Sequence, residues 1–209
     1  MAANSKAQKA ARKARIEEMR KAEQARERRN KIITIAASAA IVAGLAVGGW
    51  YLVDSADNKE KAQAAPINGE KTWSNLSRNH VTKTVNYPMH PPVGGDHKPV
   101  WQNCNGNVYD KEIAEGNAVH SLEHGAVWVT YNDKATAADV KTLSARVSKT
   151  PYSLMSPYRN EPSPITLNAW GHQLKATKAS DPRVAEFFDK YVQGKQTPEP
   201  GASCTGGTG

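Results

Sequence analysis

The chain has 209 residues, a net charge of +8 and 39% hydrophobic residues, enough for one domain with attachments or two very small domains. The charge is concentrated: residues 1–31 hold 11 Lys/Arg against 4 Glu, and the rest hold 17 Lys/Arg against 16 Asp/Glu. No basic stripe interleaved with aromatics follows residue 31, which argues against nucleic-acid binding by the main part of the chain.

Residues 1–31 are rich in Ala, Lys, Arg and Glu. This composition favours helix but offers few large apolar residues to bury. The expectation is a solvated basic helix or a disordered tail that sets membrane topology or meets anionic headgroups. Residues 32–53 are 22 residues without a charge, about 33 Å as a helix and enough to span a bilayer's hydrocarbon core. Trp50 and Tyr51 close this run as interfacial aromatics do, and the basic residues before it put the N-terminus in the cytoplasm and the rest outside. A cleaved signal peptide is the rival, with Ala62-Gln63-Ala64 imitating a cleavage site. The apolar run is too long for a usual h-region and that site lies far beyond it, so an uncleaved signal anchor is expected. Gly44 and Gly48 form a G-x-x-x-G of the kind that pairs two such helices, but a span so crowded with Ala and Gly reads more simply as small-residue background. Residues 54–71 are polar and read as a linker, and residues 72–205 as one extracytoplasmic domain.

Residues 72–117 are rich in Pro, Gly, Asn and aromatics. The prolines forbid a long helix, and a loop of this length is functional or disordered. Trp73, Tyr87, Val100 and Trp101 argue for a loop pinned onto a core. The segment carries His80, Met89, His90 and His97.

The chemically densest stretch follows, Val119-His120-Ser121-Leu122-Glu123-His124-Gly125. As a short helix with Asn117 as N-cap and Gly125 just past its end, it puts His120 and His124 on one face at i and i+4. Neutral imidazoles at that spacing can chelate a borderline metal ion, with Glu123 as a third ligand or a group orienting a ring. The string also matches the H-x-x-E-H of inverted zinc peptidases. Those enzymes carry it inside a longer helix, whereas Gly125 and a strand-like run follow here at once. The plain alternative is that both histidines are satisfied by backbone carbonyls near a sheet edge.

Residues 126–131 suit a central strand. Thr136 caps a helix buried through Val140, Leu143 and Val147. Residues 152–158 form a strand that Pro157 confines in part to an edge. Ile165, Leu167 and Ala169 alternate with polar residues in a half-buried strand. Asp181-Pro182 opens a second helix with Val184, Phe187, Phe188, Tyr191 and Val192 on one face, ended by Gly194. Residues 198–209 read as a tail apart from Cys204. The expected fold is α+β: a single transmembrane helix, then one small domain with an antiparallel or mixed sheet and two helices on one face, entered by the long Pro/Gly-rich loop.

Cys104 and Cys204, the only cysteines, both follow the span, so a disulfide is the default, with Cys104 as a metal thiolate the rival. With the bridge formed, a metal is left to His120, His124, His97, His90 and Met89, with Glu123 behind them. Imidazole with thioether suits copper, and imidazole with carboxylate suits zinc. His80 and His172 read as structural. Ser121 lacks a nucleophile elbow, and P-loop, dinucleotide and C-x-x-C patterns are absent from the sequence.

The strings Pro91-Pro92-Val93-Gly94-Gly95-Asp96-His97, Trp101-Gln102-Asn103-Cys104-Asn105-Gly106, residues 118–127, Ser156-Pro157-Tyr158, residues 165–171 and Pro198-Glu199-Pro200 occur in order. Together they resemble the bacterial domain-of-unknown-function family 3105, over residues 70–205. The resemblance implies a membrane-anchored extracytoplasmic domain of an actinobacteria-like envelope, without an established activity. It also implies company with copper-handling proteins, which favours copper over zinc. Three functions follow from the residues and this resemblance: a non-catalytic metal-binding domain, an envelope binding or assembly module that meets a protein partner, and a metal-dependent hydrolase with Glu123 as base.

Overall fold

The computed structural model describes the backbone of residues 2–209, and the side chains of residues 12–13, 15–51, 54 and 65–209. The side chains of residues 1–11 in the basic tail, and of the Ala62-Gln63-Ala64 cleavage-site mimic, lie outside the described residues. The chain divides into two compact units, Met1–Ala62 and Gln63–Gly209.

The first unit is a helix, α1 (Ala2–Ala64). Its segment Arg15–Tyr51 is long and apolar enough to cross a membrane, as an anchor or a signal sequence would. Ile32, Leu45, Val47, Trp50 and Tyr51 are all exposed on it. In a soluble helix such a surface would be an anomaly.

The second unit is α+β, with a mixed six-stranded sheet. Its elements are β1 (Lys71–Thr72), β2 (Asn105–Val108), α2 (Glu115–Glu123), β3 (Val127–Tyr131), α3 (Ala137–Val147), β4 (Ser153–Pro157), β5 (Ile165–Ala169), β6 (His172–Ala176) and α4 (Pro182–Tyr191). The strand order is β1-β6-β5-β3-β4-β2. β4 runs parallel to β3 and to β2, and the other pairs are antiparallel. Parallel neighbours need a crossover, which α3 supplies between β3 and β4.

Alternation along the strands divides the interior into two cores. Val127, Val129, Met155, Ile165 and Leu167 pack with Leu143 and Val147 of α3 and with Val184, Phe187, Phe188 and Tyr191 of α4. Trp128 and Leu154 point the other way and pack with Ala118, Val119 and Leu122 of α2, and with Tyr87, Met89 and Val93 of the lead-in loop. The helices therefore lie on both faces rather than one, and there are three of them in this unit rather than two.

Several local expectations are corrected. β5 is buried on both faces, since Thr166 and Asn168 are as fully buried as Ile165 and Leu167. Asn168 Nδ2 donates to the Trp128 carbonyl, and Gln173 Nε2 donates to Asn168 Oδ1 and to the Pro91 carbonyl, which ties the loop to the sheet. The Trp170-Gly171 turn leads into β6, a strand the sequence pattern hid; Gly171 takes φ 73° there, the left-handed position such a turn requires. β4 is an interior strand, and its Pro157 is tolerated because β2 pairs only as far as Met155. Val100 is exposed, although Tyr87 and Met89 are buried as pins should be.

Residues 198–209 are no free tail. The Cys104–Cys204 disulfide joins them to the loop, with a Cα–Cα distance of 4.7 Å. The Thr208 carbonyl accepts from Asn103 N, and Thr208 N donates to the Trp101 carbonyl. Within the stretch read as a linker, Ile67 belongs to the core, and Glu70 accepts from Tyr191 Oη and lies 2.6 Å from His172 Nδ1.

A candidate metal centre

Helix α2 starts at Glu115, with Ala114 rather than Asn117 at its N-cap. Asn117 lies inside the helix, where its Nδ2 donates to the Val100 carbonyl at 2.5 Å. Ser121 Oγ donates to the Gln102 carbonyl at 2.6 Å, so the loop is drawn along the helix. Gly125, at φ 93°, turns the chain from α2 into β3, and its N–H donates to the Leu122 carbonyl.

This docking brings loop histidines onto the helix. Ligand atoms of His80, His97, His120 and Glu123 all lie within 4.8 Å of one another, and three of these four residues are buried. His120 and Glu123 come from α2 at i and i+3, which share a helix face. His97 and His80 are held side by side: the His97 carbonyl accepts from Val81 N at 2.7 Å, and His97 N donates to the Asn79 carbonyl at 3.0 Å.

The electrostatics prepare these groups as ligands. His97 Nδ1 lies 2.7 Å from the Gly95 carbonyl, and His120 Nδ1 lies 2.7 Å from the Lys98 carbonyl. A carbonyl only accepts, so each ring carries a proton on Nδ1, and a neutral ring then leaves its Nε2 lone pair free. His97 Nε2 then faces Glu123 Oε2 at 2.8 Å, yet neither buried atom has a hydrogen-bond partner. With the His97 ring neutral, two acceptors face each other in a buried site, an arrangement that a cation held by both, or a proton shared between them as an ion pair, satisfies. Glu123 is held there by its other oxygen, which accepts from Arg78 Nε at 2.8 Å. Burial holds the His120 imidazole down to about 4, against the opposing pull of the Lys98 carbonyl, so it is neutral at pH 7. The donor set, imidazole nitrogens with one carboxylate, fits a borderline divalent ion.

A family model described as "Protein of unknown function (DUF3105)" matches residues 80–206. The chain belongs to this family. No curated protein and no solved structure gives a significant match. The DUF3105 match takes in His80, His97, His120, Glu123 and both cysteines.

Within the DUF3105 domain the other expected site residues lie elsewhere. His124 is beside the group, its ring centroid 4.6 Å from that of His120, but its Nδ1 lies 2.7 Å from the Ser203 carbonyl and its Nε2 lies 3.8 Å from Glu199. Burial lowers its pKa as well. The i, i+4 histidine pair thus gives way to the i, i+3 pair of His120 and Glu123. His90 Nδ1 lies 3.0 Å from Tyr158 Oη and 3.3 Å from Glu115 Oε1. The Met89 side chain is buried in the apolar cluster with Tyr87 and Val93. His172, read as structural, stacks on Tyr191 beside Glu70.

His80 is the residue that sequence reasoning missed. It is 40 positions from His120, and the backbone bridge to His97, with Arg78 bonded to Glu123 two residues before it, brings it to the helix. The available signal was the concentration of histidines in one Pro/Gly-rich loop. Trp101 packs its ring 5.8 Å from His120 and 5.1 Å from His124, and Trp170 lies 6.0 Å from His97, so indoles wall the group.

Proposed function

We propose that this DUF3105 domain is a metal-binding module tethered to the outer face of the cytoplasmic membrane. His97, His120 and Glu123 hold a divalent ion, and His80 completes the set. The segment at residues 32–53 is a single-pass signal anchor with the basic tail inside, a topology supported by the positive-inside rule and by a disulfide suited to an oxidising compartment. The imidazole and carboxylate donors suit zinc, and the preference for copper rests on the family resemblance alone. The thioether of Met89, which would have argued for copper(I), is committed to the apolar cluster.

One observation carries the reading: His97 Nε2 and Glu123 Oε2 are buried and 2.8 Å apart, His80 Nε2 is 3.8 Å from the same oxygen, and neither buried atom is satisfied by a hydrogen bond. The grip of Arg78 on Glu123, which faces His97, supports a ligand's role for it over that of a free base for hydrolysis. The test is metal content by mass spectrometry of the untagged full chain, purified in detergent and exposed to Cu2+ and Zn2+. Stoichiometric metal that disappears in His97→Ala and in Glu123→Gln is expected. A folded, disulfide-bonded wild type that takes up neither ion overturns the proposal.

A further inference from the structure

The four groups are not equivalent. His97, His120 and Glu123 are at most 3% exposed, and each is fixed by a second partner: the Gly95 carbonyl, the Lys98 carbonyl and Arg78. The side chain of His80 is 46% exposed. Among the described residues no hydrogen bond reaches either of its ring nitrogens. Its ring leans on those of His97 and His120, with centroids 4.9 and 4.7 Å away, and its Nε2 lies 3.8 Å from Glu123 Oε2, beyond hydrogen-bond reach. Its backbone, in contrast, is bridged to His97. Rotation about the side-chain bonds of His80 therefore opens the group to solvent without disturbing the three buried donors.

Ligands that keep their orientation carry a partner behind the ring, and sites that close a structural role bury every donor. A rigid tripod with one loose, solvent-facing imidazole meets neither condition at its fourth position. We propose that His80 is an exchangeable ligand, and that the site hands its metal on through the His80 face. In this exchange the bond from His80 to the ion breaks as a bond from an incoming donor forms. That donor is an imidazole, thioether or carboxylate of a recipient, and the ion keeps its charge throughout. Arg78, which holds Glu123, and Glu199 lie 3.8 Å apart as an exposed ion pair, with side chains 50% and 42% exposed.

This inference rests on the metal-binding reading, and its test separates the two. The full chain in detergent is loaded with Zn2+, and separately with Cu2+, and release to an excess of a chromophoric chelator is followed for wild type and His80→Ala. Wild type and variant should both load stoichiometrically. The variant should release about tenfold faster, and free imidazole added to it should restore slow release. An unchanged rate in His80→Ala, or acceleration that imidazole does not reverse, overturns the exchange role. A folded His80→Ala that cannot load overturns it as well, by making His80 a core ligand. Failure of the wild type to load either ion would instead remove the metal site itself.

Discussion

At the scale of single residues, the candidate centre depends on where each imidazole keeps its proton. Backbone carbonyls beside His97 and His120 set both rings alike, so the lone pairs converge without any charged partner behind the rings. A second buried acid behaves differently. Glu161 is 4% exposed, and burial pushes its carboxyl up to about 7, although the Thr130 hydroxyl donates to it at 2.8 Å. The folded state thus holds this proton more tightly than the unfolded chain, whose value lies near 4.5. The corresponding stability is complete below pH 4.5 and falls as pH rises through about 7. Glu161→Gln should flatten that decline between these pH values, as read by urea unfolding at a series of pH values; an unaltered pH profile would show that Glu161 does not cause it. Of the site, the sequence displayed the helix motif and one loop histidine, His97. It could not display His80, because a lone histidine between Asn79 and Val81 has no periodicity to betray it, and the bridge that recruits it is a tertiary contact.

At the scale of elements, local chemistry and packing divide the explanation. Helices α3 and α4 were legible because Thr136 and Asp181 cap them through their side chains and their apolar residues recur with helical period. Helix α2 was legible at its end but not at its start, since Ala114 caps without a side chain and Gly116 is a poor helix former. Strand β6 was hidden because His172, Gln173 and Lys175 make its short pattern look polar, although Leu174 and Ala176 enter the core. The α2–β3 corner is the element on which the site turns. A Cβ on Gly125 would be strained at φ 93° and would meet Thr197 Oγ1 at 2.8 Å and crowd the Gln193 side chain. Gly125→Ala should therefore cost roughly 1–3 kcal/mol of stability and weaken metal retention, because Glu123 and His124 end the helix there. Denaturant unfolding of the metal-free variant isolates the backbone cost, and a neutral result would contradict the strained corner.

At the scale of the whole molecule, the C-terminal segment of the Gln63–Gly209 unit folds back onto the site. The Glu199 N–H donates to the Glu123 carbonyl, the Ser203 carbonyl meets His124, and Cys204 bonds to Cys104, 100 positions earlier. The C-terminal strap thus braces the helix that bears His120 and Glu123. Closing so long a loop restricts the unfolded chain, and a Cys104→Ser/Cys204→Ser variant should lose roughly 2–5 kcal/mol of stability. It should also let go of its metal more readily. A double variant as stable as the wild type would show that the strap is held by its hydrogen bonds alone. Sequence reading captured the α+β class, the apolar anchor-like segment and the disulfide, because composition, length and cysteine count encode those directly. It did not capture the placement of helices on both faces, where Ser121 and Asn117 fasten α2 to the lead-in loop and the Pro91–Gln173 contact ties that loop to the sheet.

The most direct test of the metal centre is anomalous diffraction from crystals grown with Cu2+ or Zn2+, with data collected across the absorption edge of the added ion. The account predicts a single strong peak between His97 Nε2 and Glu123 Oε2, within bonding distance of His120 and His80. A map without a peak there, with His97 and Glu123 hydrogen-bonded directly to each other, would contradict it.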